Sequence, residues 1–135
     1  MIERAGEFAF PYAFHGGSDD VTVEWHAFDE LRLPVAVQTW RLPPGASEGM
    51  HTHDTEAEPL EELYLVLHGS GRMHVDDDVH DIGPGDCVLA PSGTRHDLAN
   101  TGDDELRVLV VWGRPGDADW SAFGSAAMAR EARKG

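Results

Sequence analysis

The residues best suited to chemistry lie between Gly45 and Gly69. His51 and His53 stand two apart, a spacing that puts both imidazoles on one face of an extended strand. Glu62 follows at the head of the apolar run Leu63-Tyr64-Leu65-Val66-Leu67. Two imidazoles and a carboxylate make half of a metal site. The chain holds eight histidines, at 15, 26, 51, 53, 68, 74, 80 and 96, against one cysteine, Cys87. A transition metal here must therefore be held by imidazole and carboxylate rather than thiolate, and no intrachain disulfide can form.

Such residues need elements to position them. From residue 21 the chain reads as short strands cut by turns. Runs at 21–28, 35–42, 63–67, 72–75, 79–82, 86–90, 95–99 and 106–112 alternate with breaks at Pro43-Pro44-Gly45, Gly69-Ser70-Gly71, Asp76-Asp77-Asp78, Gly83-Pro84-Gly85, Pro91-Ser92-Gly93 and 100–104. With the histidine pair these make about nine strands at roughly ten-residue spacing and no helix between them, which predicts an all-β sandwich or barrel. A chain of 135 residues is one domain by size. Residues 1–20 form an N-terminal arm in which Phe8, Phe10, Tyr12 and Phe14 recur at period two, a pattern suited to packing on the domain or on a partner. Residues 21–114 form the barrel. Residues 115–135 carry a helix capped by Asp117 or Asp119 and bearing Trp120, Phe123, Ala126, Ala127, Met128 and Ala129.

The text from Gly85 runs through Pro91, Gly93 and His96 to Asn100 with intervals of five, one, two and three residues. This resembles the second motif of the cupin superfamily, G-x5-P-x-G-x2-H-x3-N, at every fixed position. The first cupin motif, G-x5-H-x-H-x3,4-E-x6-G, is met by Gly45, His51, His53, Glu62 and Gly69, with one departure: eight residues rather than three or four separate His53 from Glu62. The resemblance covers about residues 21–114. Glu58 fits the short spacing but precedes Pro59 and lacks the following glycine, and Glu61 is out of phase by one residue, so Glu62 is the favoured carboxylate. Residues 54–59 then form an enlarged loop at the mouth of the site. Gly45, Gly69, Gly85 and Gly93 fall where turns call for positive φ.

The resemblance implies a double-stranded β-helix, or jelly-roll barrel, with one divalent metal held by His51, His53, Glu62 and His96. Three nitrogens and one oxygen suit Fe(II), Mn(II), Ni(II), Co(II) or Zn(II), with Fe(II) favoured, and leave two positions of an octahedron open. The implied function is a metal-dependent enzyme on a small organic molecule, foremost a non-haem iron oxygenase. The alternatives are a redox-neutral lyase, isomerase or cyclase and a non-catalytic binding module. Tyr64 shares the inward phase of Glu62 and is the candidate catalytic donor, although a packed tyrosine fits that position equally well.

The remaining features bound the partners. A net charge of −15, from 25 acids against 10 bases, repels nucleic acid and anionic lipid. The start of the chain lacks a signal-peptide pattern, no apolar run reaches membrane-span length, and the expectation is a cytoplasmic protein. Leu63, Leu65 and Leu67 face away from Glu62 and need covering by the arm, the C-terminal helix or a second copy, so a homodimer is expected. His68 and His74 read as solvated or core-satisfied histidines, Arg41 and Arg72 as surface salt-bridge residues, Cys87 as a small buried hydrophobe, and Trp25, Trp40 and Trp112 as core or pocket wall.

Overall fold

The computed structural model describes residues 1–18, 20–53 and 56–135. Among them ten strands run in chain order: β1 (Phe10–Pro11), β2 (Thr22–Trp25), β3 (Val35–Leu42), β4 (His51–Thr52), β5 (Glu61–His68), β6 (Gly71–Val75), β7 (Asp78–Ile82), β8 (Cys87–Ala90), β9 (Arg95–Ala99) and β10 (Leu106–Gly113). One helix follows, α1 (Gly124–Ala132). All pairings are antiparallel, in a six-stranded sheet ordered β1-β2-β3-β10-β5-β8 and a four-stranded sheet ordered β4-β9-β6-β7. The all-β jelly roll with a short C-terminal helix is the observed architecture.

Period-two burial shows why these segments are strands. On β3, Ala36, Gln38, Trp40 and Leu42 are buried in alternation, and on β10 Leu106, Val108 and Val110. Trp40, Leu42 and the three β10 residues join Tyr64, Val66, Met73, Ile82 and Leu98 in one core drawn from both sheets. Each fully buried Val or Leu contributes about 1.5–3 kcal/mol of transfer free energy. The turns use local backbone chemistry. Asp76, at φ 52, closes the two-residue β6–β7 connection, and its carboxylate accepts from the Arg95 amide at 3.0 Å. The four turn glycines named above all have φ between 81 and 89.

Two expectations change, and one of the alternatives for covering the leucines falls away. Cys87 is exposed, because β8 is an edge strand and Cys87 shares the outward phase of Leu89 while Ala90 faces the core. The helix begins at Gly124, after Phe123, with no side-chain cap. Asp119 instead accepts from the Ser121 amide at 2.9 Å, so Trp120 stands in the turn before the helix. No residue of α1 is buried, and it does not cover the leucines of β5: Leu63 and Leu67 are 37% and 46% exposed.

The arm packs on its own sheet. β1 pairs with β2, and the Phe14 ring stacks on Trp40 at 4.3 Å. The segment after it locks onto the turn before β4. Ser18 and Ser47 exchange two hydrogen bonds of 3.0 Å, one from each backbone amide. Gly49, at φ 94, lies so near that a Cβ there would meet the His15 carbonyl oxygen at 2.5 Å. Only glycine satisfies both the left-handed backbone and that close approach.

Candidate metal centre

The site forms where the two sheets meet. His51 on β4 and His96 on β9 are direct cross-strand partners, which sets their rings 4.2 Å apart. His53 follows β4 with its ring 4.9 Å from that of His51. Glu62 reaches them from β5, in the other sheet. One ligand atom from each of His51, His53, Glu62 and His96 lies within 4.8 Å of all the others, and three of the four residues are buried. Glu62 Oε1 is the meeting point. It stands 3.8 Å from His51 Nε2, 3.4 Å from His96 Nε2, and in close contact with His53 Nε2.

The outer nitrogens of these rings are spoken for. His51 Nδ1 lies 2.8 Å from the Gly49 carbonyl, His96 Nδ1 3.0 Å from the Thr94 carbonyl, and His53 Nδ1 2.9 Å from the Glu58 carboxylate. Carbonyl and carboxylate oxygens only accept, so each Nδ1 carries a proton and Nε2 is the nitrogen that each ring turns inward. His51 Nε2 and His96 Nε2 are buried without any hydrogen-bond partner. With the rings neutral, their Nε2 lone pairs converge on a carboxylate oxygen, an all-acceptor cluster that calls for a positive charge, either a proton taken up by a ring or a metal ion. The donor set therefore fits a divalent metal.

Behind Glu62 is a second carboxylate that sequence reasoning missed. Glu48 is fully buried, and its carboxylate accepts from the Leu98 amide at 3.0 Å. The Tyr64 hydroxyl lies 2.8 Å from Glu62 Oε2 and 3.0–3.1 Å from both Glu48 oxygens. A single hydroxyl proton cannot serve both. Burial, and then the neighbouring Glu62, push the Glu48 carboxyl well above its ordinary range, the donors offsetting only part of this. A protonated Glu48 donates to the Tyr64 oxygen, which frees Tyr64 to donate to Glu62. Burial also works to raise Glu62, but the His51 and His96 rings, which can share a proton with it when no metal is bound, and the Tyr64 hydroxyl prevail and hold it below the usual carboxylate range. Burial and the two adjacent glutamates raise Tyr64 well above an ordinary phenol.

Tyr64 thus reaches the two carboxylates, and it is not among the residues lining the adjoining cavity. From there it orients Glu62. His15, also missed, comes from the arm at φ 43 and stacks on His51 at 3.5 Å, with the planes 14° apart. Burial, then the nearness of His51 and His53, lowers its pKa to about 4, which leaves a neutral ring at neutral pH. Neither residue had a usable signal. Glu48 stands in a loop, outside any apolar alternation, and His15 stands in a glycine-rich break.

The cavity holds about 380 Å³. Trp25, Trp40 and Trp112 all line it, with Phe10, Tyr12 and Phe14 of the arm, and Glu58 and Glu62 at the metal end. The other sequence candidates stand apart. His68 pairs with Asp104 at 2.9 Å and Arg72 with Asp81 at 3.1 Å, both exposed, and His74 and Arg41 are half-buried outside the cavity lining. Of the enlarged loop, Asp54 and Thr55 lie outside the described residues. Glu58 is an acceptor for His53 rather than a member of the four-residue group.

Residues 38–112 match the Cupin domain family. The chain is similar to an oxalate-binding protein of Thermotoga maritima, at 38% identity over 71 residues, covering 53% of this chain and 55% of that protein. It is 27% identical over 70 residues to a 5-nitrosalicylic acid 1,2-dioxygenase of Bradyrhizobium, covering 52% of this chain and 31% of that one. The chain thus spans about half, or less, of the length of these relatives. A crystal structure of a predicted oxalate decarboxylase from Thermotoga maritima superposes with a TM-score of 0.75 at 27% identity, covering 85% of this chain and all of that one.

Proposed function

The chain belongs to the cupin family, and from that premise we propose that it is a metal-dependent enzyme acting on a small organic molecule, foremost a non-haem iron oxygenase. The observation that carries the proposal is the convergence of three imidazoles and one carboxylate, all within 4.8 Å, at the end of a cavity of about 380 Å³. His51, His53, His96 and Glu62 would hold the ion. A bound Fe(II) would supply a redox-active Lewis acid beside the cavity.

The protein's own residues prepare that centre. Gly49, Thr94 and Glu58 accept from Nδ1 of the three rings, so that Nε2 of each histidine is the nitrogen left to hold an ion. Tyr64 donates to Glu62 Oε2 and leaves Oε1 to turn toward the ring nitrogens. The aromatic side chains give one side of the cavity an apolar wall. The names of two relatives, an oxalate-binding protein and a 5-nitrosalicylic acid dioxygenase, support a small organic ligand and make an oxygenase a reaction within reach of such a barrel.

The donor set equally suits Zn(II) or Mn(II), which keeps a redox-neutral lyase, isomerase or cyclase as the second reading. Anaerobic iron loading followed by an oxygen-uptake screen separates the two. Uptake coupled to turnover supports the oxygenase, and equal turnover with zinc and without oxygen replaces it by the redox-neutral reading. Ligand binding without turnover under any metal leaves a binding module.

For partners we infer a second copy of the chain. Leu63, Leu67 and Leu89 are exposed on the outer face of the six-stranded sheet, where Leu63 and Leu89 are cross-strand neighbours and Leu65 and Leu109 pair beside them. A continuous apolar face of this kind is what a subunit contact buries. Among the described residues no helix is long and apolar enough to cross a membrane.

A further inference from the structure

The walls of the cavity carry more information than its metal end. Six aromatic rings line it, and they come from separate places in the chain: Phe10, Tyr12 and Phe14 from the arm, Trp25 from β2, Trp40 from β3 and Trp112 from β10. They pack on one another in two groups. Tyr12 meets Phe14 edge-on at 4.8 Å and Phe14 stacks on Trp40 at 4.3 Å, while Trp25 and Trp112 meet edge-on at 5.4 Å. Rings held this way by their neighbours keep their faces and edges where a flat guest can use them. Gln38 is the one amide side chain among the described residues of the lining, and its Oε1 accepts from the Trp40 indole at 2.8 Å, which leaves its NH2 as a donor.

Charge points the same way. No lysine or arginine stands among the described residues lining the cavity, while Glu58 and Glu62 do. A divalent ion at the four-residue centre is balanced by these two carboxylates. A guest carrying two negative charges would then be desolvated with nothing to compensate it, which is costly in a cavity walled by rings. A neutral or singly charged guest meets no such penalty. The volume, about 380 Å³, lies at the small end for ligand sites and suits one ring with short substituents.

We propose that the substrate of this site is a small aromatic compound, neutral or singly anionic, whose ring lies among the arm and tryptophan rings while an oxygen substituent faces the metal centre. The assignment rests on the metal-site reading above and adds the substrate class. It also gives the arm a role: Phe10 and Tyr12, 39% and 52% exposed, form the part of the wall nearest solvent and select for the ring.

The test uses full-length protein loaded with Ni(II), its metal content measured, and two chelators that share a headgroup. Benzohydroxamic acid and acetohydroxamic acid differ only in carrying a phenyl or a methyl group. Calorimetric titration should show benzohydroxamic acid binding about tenfold more tightly or better, with oxalate weaker than both. Tyr12→Ala and Phe10→Ala, at exposed positions that leave the core untouched, should each weaken benzohydroxamic acid about threefold to tenfold without moving acetohydroxamic acid or metal content. Equal affinity for the two hydroxamic acids, tightest binding by oxalate, or variants that weaken both hydroxamic acids alike would overturn the proposal. The same ranking read on metal-free protein, with benzamide against acetamide by shifts of the tryptophan indole NH signals, separates the two readings. Failure to load metal with the ring preference intact removes the metal reading alone. Full loading with no ring preference removes this one.

Discussion

The two faces of β5 invert the usual order. Its inner face buries Glu62 and Tyr64, at 5% and 0% exposure, while its outer face leaves Leu63 and Leu67 in solvent. A strand selected for stability alone would place these residues the other way round, since burying an unpaired carboxylate costs several kcal/mol and burying a leucine contributes about 2. The inner inversion is sustained by named partners, three imidazoles and a phenol. The outer one has no covering partner among the described residues. Buried polarity here marks the chemical site, and exposed apolarity marks a surface awaiting a partner.

The largest effect should come from breaking the inner face at its centre. Glu62→Ala, like His51→Ala or His96→Ala, should abolish metal binding and activity together, read by metal analysis of purified protein. Glu58→Ala, which removes only the acceptor of His53 Nδ1, should keep full occupancy at saturating metal with affinity down by about tenfold. Loss of the metal in Glu58→Ala with retention in Glu62→Ala would reverse the ligand assignment.

Next in size is the layer behind Glu62. Tyr64→Phe removes the hydroxyl shared by two buried carboxyl groups and should cost about 1–3 kcal/mol of stability, read by chemical denaturation. Unchanged stability would mean that the hydroxyl does not bridge Glu48 and Glu62. Glu48 offers a sharper reading in metal-free protein. Its folded pKa is raised above the ordinary 4.5, so the folded state binds the extra proton and stability falls as pH rises above about 4.5 toward the folded value. Glu48→Gln keeps the shape without the titration. Its stability should fall less steeply with pH, so that it gains on the parent protein as pH rises above about 4.5. A parent curve no steeper than that of the variant would show that Glu48 is held ionised.

The smallest effect belongs to the outer face. Leu63→Lys should change the stability of an isolated chain by no more than about 0.5 kcal/mol, because the side chain is already 37% exposed. Its visible consequence should be on association: light scattering at matched concentration should give a dimer for the parent protein and a monomer for the variant. A monomeric parent protein would leave the leucine face without its inferred partner.

Much of this contrast is legible from spacing. The period-two phase of β5 separates Glu62 and Tyr64 from Leu63 and Leu67, and that phase is a local property of an extended backbone. Glu48 is not legible in this way, because its burial arises when the turn before β4 folds under β9 and Leu98 donates to it across 50 residues. Cys87 failed for a related reason. An edge position depends on which strand ends the sheet, and nothing local to 87–90 says that β8 does.

By itself the sequence determined the strand series, the turns with positive φ and the types and approximate places of His51, His53, Glu62 and His96, because each follows from residue chemistry within a few positions of itself. Only the tertiary structure decided that Glu62 crosses from one sheet to the histidines of the other, that Glu48 and Tyr64 stand behind it, and that the arm brings His15 onto His51 and three rings into the cavity wall. Those arrangements join residues tens of positions apart. They exist only once both sheets have closed around a common core.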